Sequence, residues 1–313
     1  MYAHVFSANR RHRDSHDSHN MGELVLGTAQ LGQKYGIANT SGQPDQHTAT
    51  EMVRVAFEGG IRFFDTAADY GESERVLGQA FRDLRIVDTV HVVTKVEASD
   101  AKRIEQRASE SFARLGTANL YGVLLRWNDC KDMPRNVLSD IMDDLEHSDL
   151  VEHIGTSVYT PEDAADALTT GAFSLLQIPS NVLDRRFLEA GIPSVAREHG
   201  TQLFIRSIFL QGLLFMDPLA VPSAMFEAKP YLSAFHEFAR TSGYSSHALT
   251  LQFIKWAYPD AHLVVGAETP RQVQEHIDAW LLTVPLNVLN RLRDEFQKVP
   301  ERVVNPLLWP TLS

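Results

Sequence analysis

Three side chains that could carry out proton transfer lie in two short segments. Asp65 and Tyr70 fall within residues 63–74, and Lys95 ends a Val-Val-Thr-Lys run. A phenol has a reference pKa of about 10, but a neighbouring ammonium lowers it, and a carboxylate offsets the cost of burying that ammonium. We therefore predict Tyr70 as general acid/base, Lys95 as the group that lowers its pKa, and Asp65 as the partner of Lys95. The alternative is a structural Asp65–Lys95 ion pair with Tyr70 packed nearby.

Short β-rich runs alternate with longer helical patterns along the chain, and these elements would have to bring the three residues together. Strands are predicted at residues 23–27, 62–65, 90–95, 120–125, 153–157, 174–179, 202–207 and 261–265. Strands that alternate with helices indicate parallel βαβ units. Eight such units without a linker favour an α/β fold of the closed (β/α)8 TIM barrel type, in which the chemistry lies where strands end and the following loops begin.

An open, doubly wound sheet is the alternative architecture. Its nucleotide-binding members carry glycines two positions apart at a strand–helix turn, and no two of the eighteen glycines here are so spaced. We therefore expect a single barrel domain at residues 21–313. The polar residues 1–20 have no apolar period, and we expect a disordered tail there rather than a metal site, although four histidines occur in it.

Composition narrows the possible classes of function. The 313 residues are 44% hydrophobic and 22% charged, a normal globular mixture. A net charge of −11 argues against nucleic acid or an anionic membrane as a partner, because both need a positive surface. The single cysteine, Cys130, cannot form an internal disulfide, which fits a cytoplasmic location. We expect a small-molecule substrate as the partner, and the sequence leaves the oligomeric state open.

The segment from Phe63 to Glu74 resembles the signature of the aldo/keto reductase superfamily, and Lys95 stands where that superfamily has its active-site lysine. The resemblance extends over residues 24–280. It implies a barrel that binds a nicotinamide nucleotide and transfers hydride to or from a carbonyl group, with NADP as the default cofactor and NAD left open. Tyr35 and Trp127 are expected to line the substrate pocket.

One position departs from the superfamily pattern. Arg126 occupies the place of the catalytic histidine, which puts the substrate and the reaction in doubt. An arginine there could act in catalysis by holding the carbonyl oxygen or lowering the pKa of Tyr70 further, or it could bind a substrate carboxylate or phosphate bidentately. Alternatively, Arg126 turns away to pair with Asp129 or Asp132 in the following loop.

The same resemblance implies the cofactor contacts. Ser157 and Gln177 match the residues that hold the nicotinamide carboxamide, and Glu275 matches the adenine contact. Gln272 stands where many members have an arginine for the 2′-phosphate of NADP, and Glu268 nearby would repel that phosphate. The full predicted set is Gly27, Thr28, Ala29, Asp65, Ser157, Gln177, Arg206, Ser207, Phe209, Gly212, Gly266, Thr269, Gln272 and Glu275.

Three functions stay open at this point. The first is an NAD(P)-dependent carbonyl reductase or alcohol dehydrogenase for a small polar substrate, either sugar-like or anionic. Residues 206–213 are similar to a stretch in a bacterial branch of the superfamily associated with sugar pathways, which is the basis for a sugar-like substrate. The second is a nucleotide-binding regulatory protein with vestigial catalysis, and the third is a redox-neutral or C=C-reducing variant. The complete Asp65–Tyr70–Lys95 set favours the first.

Overall fold

A computed structural model describes residues 22–97, 101–117, 119–147 and 150–310, so the tail predicted at residues 1–20 lies outside the described residues. Eight parallel strands close into a barrel in the order of the sequence. They are β1 (Leu24–Gly27), β2 (Phe63–Asp65), β3 (His91–Val96), β4 (Leu120–Arg126), β5 (Val151–Ser157), β6 (Leu175–Pro179), β7 (Gln202–Arg206) and β8 (His262–Gly266). The predicted TIM barrel is confirmed, and each predicted strand agrees to within two residues at either end.

Helices fill the connections between strands and pack around the barrel. They are α1 (Ala29–Gly32), α2 (Gln46–Glu58), α3 (Ser73–Leu84), α4 (Ala101–Leu115), α5 (Trp127–Cys130), α6 (Arg135–His147), α7 (Pro161–Thr169), α8 (Arg186–Glu189), α9 (Ile192–Glu198), α10 (Lys229–Ser242), α11 (Ser246–Ala257), α12 (Pro270–Leu281), α13 (Leu286–Glu295) and α14 (Glu301–Val304). Among the residues described, none of these helices is both long and apolar enough to cross a bilayer.

A layer of apolar side chains fills the inside of the barrel and forms a cluster separate from the larger core under the helices. Its members are Val25, Phe63, Val93, Leu124, Leu175, Phe204 and Val264, one from each strand except β5. On β5 the matching position is Gly155, where an added Cβ would lie 2.5 Å from the Leu175 Cβ. The absence of a side chain at Gly155 thus leaves space for Leu175 and Leu124 in the layer.

Side chains on a strand alternate between its two faces, so the residue two places after each layer member also faces inward, one level nearer the strand ends. These residues are Gly27, Asp65, Lys95, Arg126, Ser157, Gln177, Arg206 and Gly266. The strand register puts several of them side by side, with Gly27 opposite Asp65 and Ser157 opposite both Arg126 and Gln177. The alternation therefore assembles most of the predicted site residues into one ring.

A close backbone approach holds the loop between β2 and α3 against α1. A Cβ on Gly32 would lie 1.7 Å from the Tyr70 carbonyl oxygen and 2.4 Å from the Ser73 nitrogen. The Ser73 hydroxyl also donates to the Thr28 carbonyl oxygen at 2.7 Å. The absence of a side chain at Gly32 thus allows the contact that positions Tyr70 over the barrel.

We predict that Gly32→Ala lowers the free energy of unfolding by about 3 kcal/mol, because backbone atoms cannot yield to a Cβ as a flexible side chain can. Urea unfolding measures the change. Gly42→Ala is the control, since a Cβ there meets nothing within 4 Å and strains only a φ of +79°, which costs about 1 kcal/mol. Equal losses in the two variants would contradict the proposed close contact.

Candidate active site

A buried ion pair lies at the centre of the ring. Lys95 Nζ donates to both carboxylate oxygens of Asp65, at 2.6 and 2.8 Å, and to the Thr66 carbonyl oxygen at 3.2 Å. Gln177 Nε2 donates to the second carboxylate oxygen at 2.7 Å. Both charged side chains are less than a tenth exposed. The pairing matches the one expected from the sequence, and these hydrogen bonds fix the orientation of the carboxylate.

Tyr70 lies beside the pair, with Lys95 Nζ 5.2 Å from the centre of its ring. The predicted lowering of the Tyr70 pKa is wrong. Burial, followed by the charge of Asp65, raises the pKa of Tyr70, and the cation that opposes the rise is Arg206. The reason is that Asp65, 2.6 Å from Lys95, offsets the field of the ammonium at the phenol. The phenol therefore keeps its proton near neutral pH.

A cavity of about 640 Å³ opens over the strand ends and reaches the start of α12. Its volume lies within the range of small-molecule and cofactor sites. Most of the predicted site residues line it: Gly27, Thr28, Ala29, Tyr35, Asp65, Tyr70, Arg206, Ser207, Phe209, Gly212, Gly266, Gln272 and Glu275. Burial, helped by the neighbouring Tyr70, raises the pKa of Tyr35 to about 12, so this second phenol also stays protonated.

Four further predicted residues, Lys95, Ser157, Gln177 and Thr269, do not line the cavity but lie next to residues that do. Lys95 and Gln177 donate hydrogen bonds to Asp65, which lines the cavity, and Ser157 lies next to Gln177 in the sheet. The Thr269 hydroxyl accepts a hydrogen bond from the Gln272 nitrogen at 3.2 Å and so caps α12. Their place in a binding site stays a prediction.

The expected pocket position of Trp127 needs correction. Trp127 is buried under the helices, with its ring edge-on to Phe173 at 6.2 Å, and it does not line the cavity. Arg126 occupies the last inward position of β4, so the next residue leaves the strand on its outer side and begins α5. The indole therefore belongs to the core.

Arg126 lies at the barrel rim and is bound by two carboxylates. Its guanidinium forms ion pairs with Asp69 and with Glu97, and the second pair measures 3.4 Å. Arg107 also pairs with Glu97, at 2.5 Å. Neither partner of Arg126 was suggested by the sequence, since both come from the loops after other strands. Two cations thus face two anions, and Arg126 is not a free positive charge.

Arg206 at the end of β7 is held by aromatic and backbone contacts. Its guanidinium carbon lies 4.4 Å from the centre of the Tyr159 ring, and it donates to the Val158 carbonyl oxygen at 3.1 Å. Its charge opposes the rise in the pKa of both Tyr35 and Tyr70. Sequence reasoning missed Tyr159, whose ring contacts this cation.

The loop after β7 forms one wall of the cavity with strained backbone. Ser207, Leu210 and Gln211 have φ of 60°, 50° and 55°, in the left-handed region that favours glycine. Gly212 follows at φ 84°, and a Cβ there would lie 2.6 Å from the Ala38 Cβ. Residues held in such conformations cluster at ligand-binding sites, where the surroundings enforce them.

A second wall is built from rings near the start of α12. His247 Nε2 and His276 Nδ1 lie 2.7 Å apart, and His276 Nε2 lies 2.9 Å from the Gly266 carbonyl oxygen. The Phe209 ring stacks on His276 at 4.9 Å. Burial lowers the pKa of His276 to about 3, so this imidazole is neutral. His247 lies on α11, 29 residues before its partner, and no local sequence signal marked it.

Gln177 carries an observation that bears on a nicotinamide ligand. Its amide nitrogen is committed to Asp65, while its Oε1 is buried and has no hydrogen-bond partner in the described part of the chain. A buried acceptor left unpaired costs free energy, so it suits a ligand that brings an N–H donor. The carboxamide of a nicotinamide ring is such a donor.

Within the described ranges, no group of three or more His, Cys, Asp or Glu side chains could hold a metal ion.

Comparison with known proteins finds similar sequences. The sequence profile of the aldo/keto reductase family matches residues 23–294. Aldo-keto reductase YhdN from Bacillus subtilis is 25% identical over 273 residues, which cover 77% of this chain and 82% of that protein. D-arabinose 1-dehydrogenase from Saccharomyces cerevisiae is 35% identical over 94 residues, which cover 29% of this chain and 26% of the yeast protein.

Solved structures share the fold. Glycerol dehydrogenase AKR11B4 from Gluconobacter oxydans superposes with a TM-score of 0.72 at 20% identity, covering 95% of this chain and 99% of its own. Aldo-keto reductase AKR11C1 from Bacillus halodurans, in its holo form, gives a TM-score of 0.73 at 21% identity, covering 90% of this chain and 94% of its own.

The buried ion pair gives a stability prediction. Lys95→Met leaves the Asp65 carboxylate buried without its cation, and we expect the free energy of unfolding to fall by about 3–5 kcal/mol. Adding Asp65→Leu to that variant removes the unpaired charge and should restore much of the loss. Urea unfolding of both variants measures this.

Arg271→Met is the control for the loss of one cation from an ion pair, because Arg271 and its partner Glu275 are exposed. We expect no measurable change in stability there. A loss in Lys95→Met no larger than that of the control would show that the buried pair has no special role.

Proposed function

The chain belongs to the aldo/keto reductase family, and from this premise we propose an oxidoreductase that moves a hydride between a nicotinamide nucleotide and the carbonyl or alcohol group of a small polar substrate. The observation that carries the proposal is a single cavity that borders Tyr70 and Asp65, together with Gln177, whose Nε2 donates to the same Asp65 and whose buried Oε1 has no partner among the described residues. When bound, the nicotinamide ring supplies or accepts the hydride.

Tyr70 is proposed to donate the proton to the substrate oxygen. The phenol is protonated near neutral pH, which is the state that a donor needs. Lys95 stays close to the ring, and the buried carboxylate of Asp65 balances its charge. The pair thus holds a fixed dipole beside the phenol, and reorganisation during the reaction is small.

The nucleotide would be held by residues from both ends of the cavity. Gln177 Oε1, with the neighbouring Ser157, is suited to the carboxamide. The loop at Ser207 and Gly212 lines the cavity with left-handed backbone and is proposed to contact the diphosphate. The stacked Phe209 and His276 rings offer an apolar face for a purine.

The substrate is proposed to be an uncharged, hydroxyl-bearing compound rather than an anion. Asp69 and Glu97 already neutralise Arg126, so a substrate carboxylate would have to compete with two carboxylates. The same three groups supply donors and acceptors for hydroxyls. The printed names of two similar proteins, D-arabinose 1-dehydrogenase and glycerol dehydrogenase, refer to polyhydroxy compounds and support this proposal.

Tyr70→Phe tests the chemistry. Removing one hydroxyl should lower kcat at least about 100-fold, because general acid catalysis is lost, while the Kd for the nucleotide stays unchanged. Turnover is followed by the absorbance of NADH or NADPH across a panel of aldehydes, keto sugars and keto acids, and Kd by calorimetry.

Tyr35→Phe is the matched control, since it removes the same hydroxyl from another phenol in the same cavity. We expect it to keep kcat within about tenfold of the parent enzyme. Retained turnover in Tyr70→Phe would refute the assignment. A parent protein that binds the nucleotide but turns over no substrate in the panel would favour a regulatory function.

Arg126→His tests substrate selection at the rim. The shorter imidazole cannot hold Asp69 and Glu97 together, so kcat/KM for hydroxylated carbonyl compounds should fall about tenfold or more relative to simple aldehydes, a change of about 1.4 kcal/mol. Arg197→His is the control, because it alters an exposed ion pair between Arg197 on α9 and Asp260. An unchanged order of preference across the panel would argue against a recognition role for Arg126.

A further inference from the structure

The part of the cavity at the start of α12 has a distinctive charge. Glu268 and Glu275 both line it. If the nicotinamide ring lies beside Tyr70 and Gln177, the adenosine half of the nucleotide must occupy this remaining part. Its ribose would therefore meet carboxylates.

Positive charge is scarce in the same place. Arg206 is the only lysine or arginine among the described residues that line the cavity, and it is committed to Tyr159 and Val158. Arg271 opens α12 but is 87% exposed, pairs with Glu275 and does not line the cavity. Both histidines of the ring wall have lowered pKa values because they are buried, so they bring no charge near neutral pH.

Three backbone donors at the start of α12 are also engaged. Gln272 Oε1 accepts from the Glu268 nitrogen at 2.6 Å, and the Thr269 hydroxyl accepts from the Gln272 nitrogen. The Val273 nitrogen donates to the Thr269 carbonyl oxygen. A helix start normally offers such amides to a phosphate. Here the nitrogens of Glu268, Gln272 and Val273 already bond within the chain, so a phosphate would gain little from these three.

Glu268 itself is positioned to meet a hydroxyl. It is half-buried, and a hydrogen bond with Ser41, which lines the same cavity, partly opposes the rise that burial causes in its pKa. An ionised carboxylate is a pure acceptor, so it accepts a hydrogen bond from a ribose hydroxyl but repels a phosphate.

We propose that this chain selects NAD(H) over NADP(H), and that Glu268 is the residue that determines the selection. The inference rests on the proposed function, because it assumes a nicotinamide dinucleotide in the cavity. Glu268 accepts a hydrogen bond from the 2′-hydroxyl of the adenosine ribose, and its negative charge repels a 2′-phosphate at the same position.

Calorimetric titration of the whole protein with NADH and with NADPH tests the proposal without any substrate. The parent protein should bind NADH at least about tenfold more tightly, a difference of about 1.4 kcal/mol. Glu268→Gln keeps the shape and removes the charge, so the Kd for NADPH should fall about tenfold, while the Kd for NADH changes by no more than about threefold.

Glu198→Gln on α9 makes the same change in net charge at an exposed position outside the cavity, and its ratio of the two Kd values should equal that of the parent. Equal affinity of the parent for both nucleotides, or an unchanged ratio in Glu268→Gln, overturns the role of Glu268 and leaves the proposed function standing. Failure of the parent to bind either nucleotide overturns both.

Discussion

A charge taken out of water must be balanced, and this requirement at Lys95 organises the mouth of the barrel. Both carboxylate oxygens of Asp65 accept hydrogen bonds from the Lys95 ammonium, and the carboxylate accepts a further one from Gln177. The backbone carbonyl of Asp65 accepts from the nitrogen and the hydroxyl of Thr28 as well. One residue thus joins β1, β2, β3 and β6. Breaking such a pair costs far more than the pair contributes, because the remaining charge stays buried.

The architecture and the centre of the site could be predicted because strong local patterns agree with the fold. Apolar runs of strand length, separated by helical periods, give eight strands within two residues of their observed bounds. Strand alternation then places Asp65 and Lys95 on the same inner face, two positions beyond Phe63 and Val93. Among the described residues, Asp65 is the acidic side chain that pairs with Lys95. The pair could therefore be inferred from the sequence alone.

Other parts of the site depend on contacts between distant loops and could not be predicted in this way. Arg126 is paired with Asp69 and Glu97 because the loops after β2 and β3 fold over the end of β4. The pocket position expected for Trp127 is wrong because Arg126 takes the last inward position of the strand, and the next side chain therefore points outward as the helix begins. The pKa of Tyr70 depends on the sum of burial and several charges, and a single neighbour in the sequence does not determine that sum.

The shared carboxylate of Asp65 has a consequence for how the two halves of the site behave. Lys95 and Gln177 bond the same side chain, so a displacement of the Lys95 amine moves the carboxylate that holds the Gln177 amide, and with it the unpaired Gln177 oxygen. By thermodynamic reciprocity, any effect of a ligand at that oxygen on the position of the amine is matched by an equal effect of that position on the affinity for the ligand. The amine and the unpaired oxygen are therefore the two ends of one hydrogen-bonded unit.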